Sequence, residues 1–162
     1  MRIVPLEHRL HPPDADLVMF STDCFQLSAA DRAFQHDFER GAVSPGDFTH
    51  RQHLRLAYTY LVQHGTVDAA HAAIRQAIQD FLQHHRVDAA HYHETLTRAW
   101  TEAVALFMQR CGNATSASAF LDASPVLLDS KALLTHYTPA TLFSDAARQH
   151  FVPPDLVPIP TA

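Results

Sequence analysis

Four side chains that could ligate a metal ion or exchange protons stand near the start of two segments with helical periodicity. His50 and His53 lie in the stretch THRQHL, and His93 and Glu94 lie in the stretch YHET. A spacing of three places His50 and His53 on one face of a helix. Neutral imidazoles and a carboxylate from a second helix are a recurrent ligand set in helical bundles. The pattern therefore predicts a divalent metal ion, zinc, iron, manganese or nickel, bound by His50, His53, His93 and Glu94.

A metal site of this kind would suit a small metal-dependent enzyme that acts on a small molecule. Glu94 is then a ligand or a general base, and Tyr137 and Arg148 are candidates for orienting the substrate. An alternative is a non-enzymatic binding or interaction module with a metal-free His/Glu pocket. The partial positive charge of helix N-termini, roughly +0.5 each, disfavours a cation and favours an organic anion there. A third interpretation gives these side chains purely structural roles, such as capping a helix.

Local signals predict the helices that must position these residues. Ser28 and Asp31 match a capping box, and Gly41 matches a helix end. A second helix, capped by Asp47 or Thr49, ends at Gly65. Apolar residues at helical spacing predict a third helix after residues 66–68 and a fourth over roughly 90–111. Two Pro-initiated helices are expected near 125–136 and 139–150.

Short connections make successive helices antiparallel, so the second and fourth helices should begin at the same end of the fold. We therefore expect an all-α, single-domain up-down bundle of four to six helices in residues 28–162. An irregular segment, residues 1–27, precedes it, with one apolar stretch at residues 17–20. The Pro-rich C-terminal tail cannot continue a helix and should lie extended, held by Phe151, Leu156 and Ile159.

Composition narrows the classes of partner. Of the 162 residues, 47% are hydrophobic and 18% charged, and the net charge is −5 with only 12 Lys and Arg. Nucleic acid and anionic membrane are therefore poor partners, and a small-molecule ligand is favoured. The absence of a long apolar run or signal-like N-terminus, together with two cysteines expected to be reduced, favours the cytoplasm. The oligomeric state stays open, a homodimer included.

The chain is rich in histidine, with 13 in all. Most are expected to be solvated, because they stand among Gln and Arg on polar faces. Members of this expected solvated group are His64, His71, His84 and His85.

Several stretches resemble a family of uncharacterised bacterial proteins marked by W-T-H-x-x-H-L, by Y-H-E-T and by a tail like Y-S-x-x-x-L-F-S-x-x-A-R followed by P-D-L-x-P-L. The matching stretches are FTHRQHL at 48–54, YHET at 92–95, YTPATLFSDAAR at 137–148 and PDLVPI at 154–159. Phe48 stands where the family pattern has Trp, and the likeness covers roughly residues 30–160. The resemblance implies a single helical domain and gives His50, His53, His93 and Glu94 more weight than the other histidines. It implies no particular activity.

Overall fold

The computed structural model describes residues 23–160, and within them regular structure is helical apart from one isolated parallel β-bridge between Phe25 and Ala114. The predicted all-α fold is confirmed. The α-helices are α1 (Ala29–Glu39), α2 (His50–His64), α3 (Val67–His84), α4 (Glu94–Cys111), α5 (Ala117–Ala123), α6 (Pro139–Leu142) and α7 (Asp145–Gln149). Short 3₁₀ turns cover Pro45–Asp47, Ala89–His91, Pro125–Leu128 and Ala132–Thr135. Most of the expected irregular segment 1–27, including its apolar stretch, lies outside the described residues.

The predicted helix boundaries follow from side chains that satisfy backbone groups. Ser28 Oγ accepts a hydrogen bond from Asp31 N at 3.1 Å, and the Asp31 carboxylate accepts one from Ser28 N at 3.0 Å. This completes the expected capping box of α1. α2 ends at Gly65, whose φ of 74° is a left-handed conformation that glycine adopts without steric cost.

The core lies between α2, α3 and α4, and α1 and α5 pack against α2. α7 packs on α4, which brings the C-terminal part of the chain to the start of that helix. The largest fully buried side chains are Tyr58, Tyr137, Phe38, Phe120, Leu54, Leu56, Leu61, Ile74, Met108, Leu121, Leu127 and Leu142. None of the described helices is long and apolar enough to cross a membrane.

The helices expected at 125–136 and 139–150 are shorter in the structure. The first is replaced by two 3₁₀ turns, between which the Asp129 side chain accepts a hydrogen bond from Lys131 N at 2.9 Å. The second divides at Ser144, whose side chain accepts from Ala147 N and starts a new helix. Short polar side chains compete with the helical hydrogen bonds at both places. Seven α-helices are described rather than four to six, because the helix expected at 139–150 divides in two and α5 has no counterpart among the predicted helices.

The C-terminal residues run extended, as expected for a Pro-rich segment, and are held by hydrogen bonds to their backbone and by one of the three expected apolar anchors. Leu156 N donates to His136 O at 3.0 Å, and the Tyr137 hydroxyl donates to Val152 O at 3.0 Å. Of the expected anchors only Ile159 is buried, whereas Phe151 and Leu156 are exposed.

Candidate functional site

Glu94, the first residue of α4, is a buried carboxylate surrounded by donors. The Tyr92 hydroxyl donates to Glu94 Oε2 at 2.7 Å and His71 Nε2 donates to Oε1 at 2.9 Å. Arg75 donates from Nε to Oε2 at 3.0 Å and makes a second, very short hydrogen bond to Oε1. Because Arg75 and His71 are four residues apart on α3, both reach across to the start of α4. We call these four residues the Glu94 cluster.

The donors of the Glu94 cluster keep its carboxylate ionised. Burial alone would raise the pKa of Glu94, but the hydrogen bonds from Tyr92, His71 and Arg75 outweigh it and lower the pKa to about 2. A group with so low a pKa is a poor general base near neutral pH. Within this structure Glu94 therefore acts as a fixed negative charge that is compensated by Arg75.

His93 caps α4 and connects it to the C-terminal helices. Its Nδ1 accepts a hydrogen bond from Leu96 N at 3.2 Å, and its Nε2 donates to Leu142 O at 3.0 Å. The neutral imidazole thus has both nitrogens occupied. Burial lowers the pKa of His93, and the nearby Arg148 lowers it further, against the opposing effect of the Leu142 bond. Metal ligation by His93 would require the loss of one of these two bonds.

His50 and His53 lie close together at the start of α2. His50 Nε2 donates to Leu127 O at 2.8 Å, and its ring lies edge-on to Trp100 at 4.6 Å. The His53 ring stacks on Phe48 at 4.8 Å. Burial, with a smaller contribution from His50, lowers the pKa of His53 to about 4, so this imidazole is neutral at neutral pH.

The two predicted ligand pairs are offset along α4. His50 lies beside Trp100, six residues after Glu94 and hence about 9 Å further along the helix axis. Between residues 23 and 160, no group of three or more His, Cys, Asp or Glu side chains is placed to hold a metal ion. The structure pairs His50 with His53 but does not bring all four predicted ligands together.

Tyr137 and Arg148, the predicted substrate-orienting residues, have different surroundings. Tyr137 is fully buried, its hydroxyl donates to Val152 O, and burial raises its pKa to about 12. It does not line the cleft described below. Arg148 is only partly buried, and its Nη1 donates to Ala90 O at 3.0 Å. Among the described residues Arg148 forms no ion pair, so its charge is available to a ligand.

A cleft of about 640 Å³ lies beside the Glu94 cluster. One wall comes from α3 and from the segment that leads into α4, with Arg75, Gln79, Ala89, Ala90, Tyr92 and Glu94. The opposite wall is residues 148–151, from the end of α7 and the start of the C-terminal segment. The hydrogen bond from Arg148 to Ala90 O joins the two walls. We refer to this space as the Arg75–Arg148 cleft.

Sequence reasoning found Glu94 and Arg148 but missed several of their neighbours. The expectation that His71 is solvated is wrong, because its side chain is buried and bonded to Glu94. Arg75 was not singled out, although its spacing of four from His71 places the two on one face of α3. That shared spacing was the available signal, and it becomes informative only when the neighbouring helix is known.

No known protein family, no curated protein and no solved structure matches the chain in the comparisons made with each. The function must therefore be argued from the geometry of the site.

Proposed function

We propose that the protein binds a small organic anion in the Arg75–Arg148 cleft. The observation that carries this proposal is the charge of the cleft wall, where two guanidinium groups meet one carboxylate. Glu94 compensates Arg75, so the positive charge of Arg148 is in excess. A local excess of positive charge is notable in a chain whose net charge is −5.

Arg148 is the residue that would contact the anionic group. Its Nη1 is occupied by Ala90 O, which fixes the guanidinium plane and leaves Nε and Nη2 as donors. A planar pair of donors suits the two oxygens of a carboxylate or phosphate. We propose a binding role rather than a catalytic one, because its low pKa makes Glu94 a poor general base near neutral pH.

The test is a titration of ¹⁵N-labelled protein followed by NMR, with sodium benzoate, sodium phosphate and benzylammonium chloride as probes. We expect saturable shifts at residues 89–94 and 148–151 with at least one of the two anions, and none with the cation. Arg148→Gln should weaken anion binding about tenfold or more, because a charge-assisted hydrogen bond is lost.

Arg110→Gln is the matched control, since Arg110 lies at the other end of α4. It is 16 residues from Glu94, or about 24 Å along the helix. This variant should bind the anion as the wild type does. Absence of saturable anion binding, or equal affinities of the Arg148→Gln variant and the wild type, would refute the proposal.

Metal binding through His50, His53, His93 and Glu94 stays a prediction. What supports it is the proximity of His50 to His53 and the neutral state that burial imposes on His53. Elemental analysis of tag-free protein after supply of zinc, iron, manganese or nickel would separate it from the anion proposal. The cytoplasmic location is likewise proposed, on the grounds that Cys24 and Cys111 are free thiols.

A further inference from the structure

We infer that the ligand of the Arg75–Arg148 cleft is an aromatic acid, in which a flat apolar body stacks on Phe151 while the anionic group meets Arg148. This inference rests on the proposed function and adds the chemical class of the ligand. It is carried by the way in which the fold holds an exposed phenyl ring at the cleft.

Phe151 is a large apolar side chain that is 41% exposed and lines the cleft. Arg148 lines the same cleft, so a ligand that fills the cleft can contact both side chains. An exposed aromatic residue in a concave site with converging polar groups is typical of small-molecule binding sites.

The backbone on both sides of Phe151 is fixed by a single buried hydroxyl. Thr95 Oγ1 donates to His150 O at 2.8 Å and accepts from Val152 N at 3.0 Å. Thr95 itself is fully buried in the first turn of α4. The residue between these two anchors therefore has little freedom to move into the core, although its side chain is apolar.

The ring of Phe151 is held as well. The Arg98 guanidinium lies 5.9 Å from the ring centroid, and Arg98 is in turn bound by Glu102 at 2.7 Å and Asp68 at 2.6 Å. Phe151 lines the cleft, whereas Arg98 does not. A ring that is ordered before binding loses little conformational entropy on contact with a ligand.

The opposite wall provides further apolar surface. Ala89 and Ala90 are exposed there, and the half-buried ring of Tyr92 lines the same wall. A small hydrated anion would leave this surface and Phe151 in contact with water. An aromatic acid would cover both while its carboxylate meets Arg148, which is why we favour it.

The experiment compares sodium benzoate with sodium acetate, which share the carboxylate and differ in the ring. For the wild type we expect benzoate to bind about tenfold more tightly than acetate, with nuclear Overhauser effects between the benzoate ring and the Phe151 ring. Phe151→Ala should remove that preference, so that benzoate binds no more tightly than acetate. Phe143→Ala, in which another exposed phenyl ring outside the cleft is removed, should retain it.

The outcomes separate the inference from the proposed function. If benzoate and acetate bind equally to the wild type, or if Phe151→Ala keeps the preference, the aromatic-acid inference is refuted while anion binding stands. If phosphate alone binds, the inference is refuted in the same way. If no anion binds, the proposed function fails, and the inference that rests on it fails too.

Discussion

Two buried carboxylates in this protein, Asp31 and Glu94, have nearly the same chemistry and different surroundings. Both lie in the first turn of a helix, are almost fully buried and pair with an arginine, Arg55 and Arg75 respectively. Asp31 accepts from the backbone N–H groups of Ser28 and Ala117, as well as from the Ser28 hydroxyl. Glu94 has only side-chain donors in its cluster.

The difference lies in what surrounds each pair. Arg55 is 22% exposed and stacks over Phe34, so the Asp31 site is closed and ties α1, α2 and the start of α5 together. Arg75 is 47% exposed and lines the cleft. Burial and ion pairing alone therefore do not identify a functional carboxylate. An adjacent open space with an unpaired charge of opposite sign is the feature that distinguishes Glu94.

The largest effect that we expect is a loss of folding stability when Asp31, in the closed site, is replaced. Asp31→Ala should lower the free energy of unfolding by about 3–5 kcal/mol, because Arg55 and two helix N-termini lose their common acceptor. Equilibrium urea unfolding at neutral pH would measure it. Because the site is remote from the cleft, the less disruptive Asp31→Asn should leave benzoate affinity unchanged. A loss of less than about 1 kcal/mol in Asp31→Ala would mean that the Asp31 site is not a structural connection.

At Glu94, beside the cleft, we expect a smaller loss of folding stability together with tighter binding of benzoate. We expect Glu94→Gln to cost about 2–3 kcal/mol, since the amide keeps only one acceptor oxygen for the donors of the Glu94 cluster, while half-exposed Arg75 can turn to water. Removal of the negative charge leaves Arg75 uncompensated, so the affinity for benzoate should rise severalfold. Urea unfolding and the NMR titration measure the two effects. Weaker benzoate binding by this variant would contradict the charge argument for the cleft.

Local signals in the sequence are sufficient to predict most of the helices. The caps at Ser28 and Gly65 depend on neighbouring residues only, and the structure confirms both. The segment after residue 124 was predicted less well, because hydrogen bonds from Asp129 and Ser144 to the local backbone compete with helix formation.

The candidate site was predictable only in part, because the surroundings of some of its residues depend on helices that are distant in the sequence. Glu94 and Arg148 were chosen from their own local patterns, and both line the cleft. The burial of His71 depends on how α3 faces α4, which no residue near His71 encodes. Phe151 was expected to be an apolar anchor, and its exposure reflects the hydrogen bonds that Thr95 makes from a distant helix.

The smallest effect on stability is expected at His53, a half-buried imidazole that forms no ion pair within residues 23–160. The pKa of His53 is lowered to about 4 because burial penalises the imidazolium. In the unfolded chain it titrates near 6.5, so between these two values the unfolded state binds more protons and stability falls as pH falls. Below pH about 4 both states are protonated, and the loss from His53 is complete.

His53→Leu should remove the loss of stability that His53 causes as pH falls, and an apolar side chain of similar size suits the contact with Phe48. We expect the wild type to lose about 1–2 kcal/mol more than this variant between pH 7 and pH 5, measured by urea unfolding at both values. His84→Gln is the control, since His84 is exposed and should leave the pH dependence as it is. The stabilisation by the ionised Glu94 is lost only as pH falls below about 4.5, its ordinary pKa, so it stays nearly constant between pH 7 and pH 5. The difference between the wild type and the variant then separates His53 from the other histidines. Equal pH dependence in the His53→Leu variant and the wild type would show that His53 has the same pKa in the folded and unfolded states, and would refute the effect of burial on this imidazole.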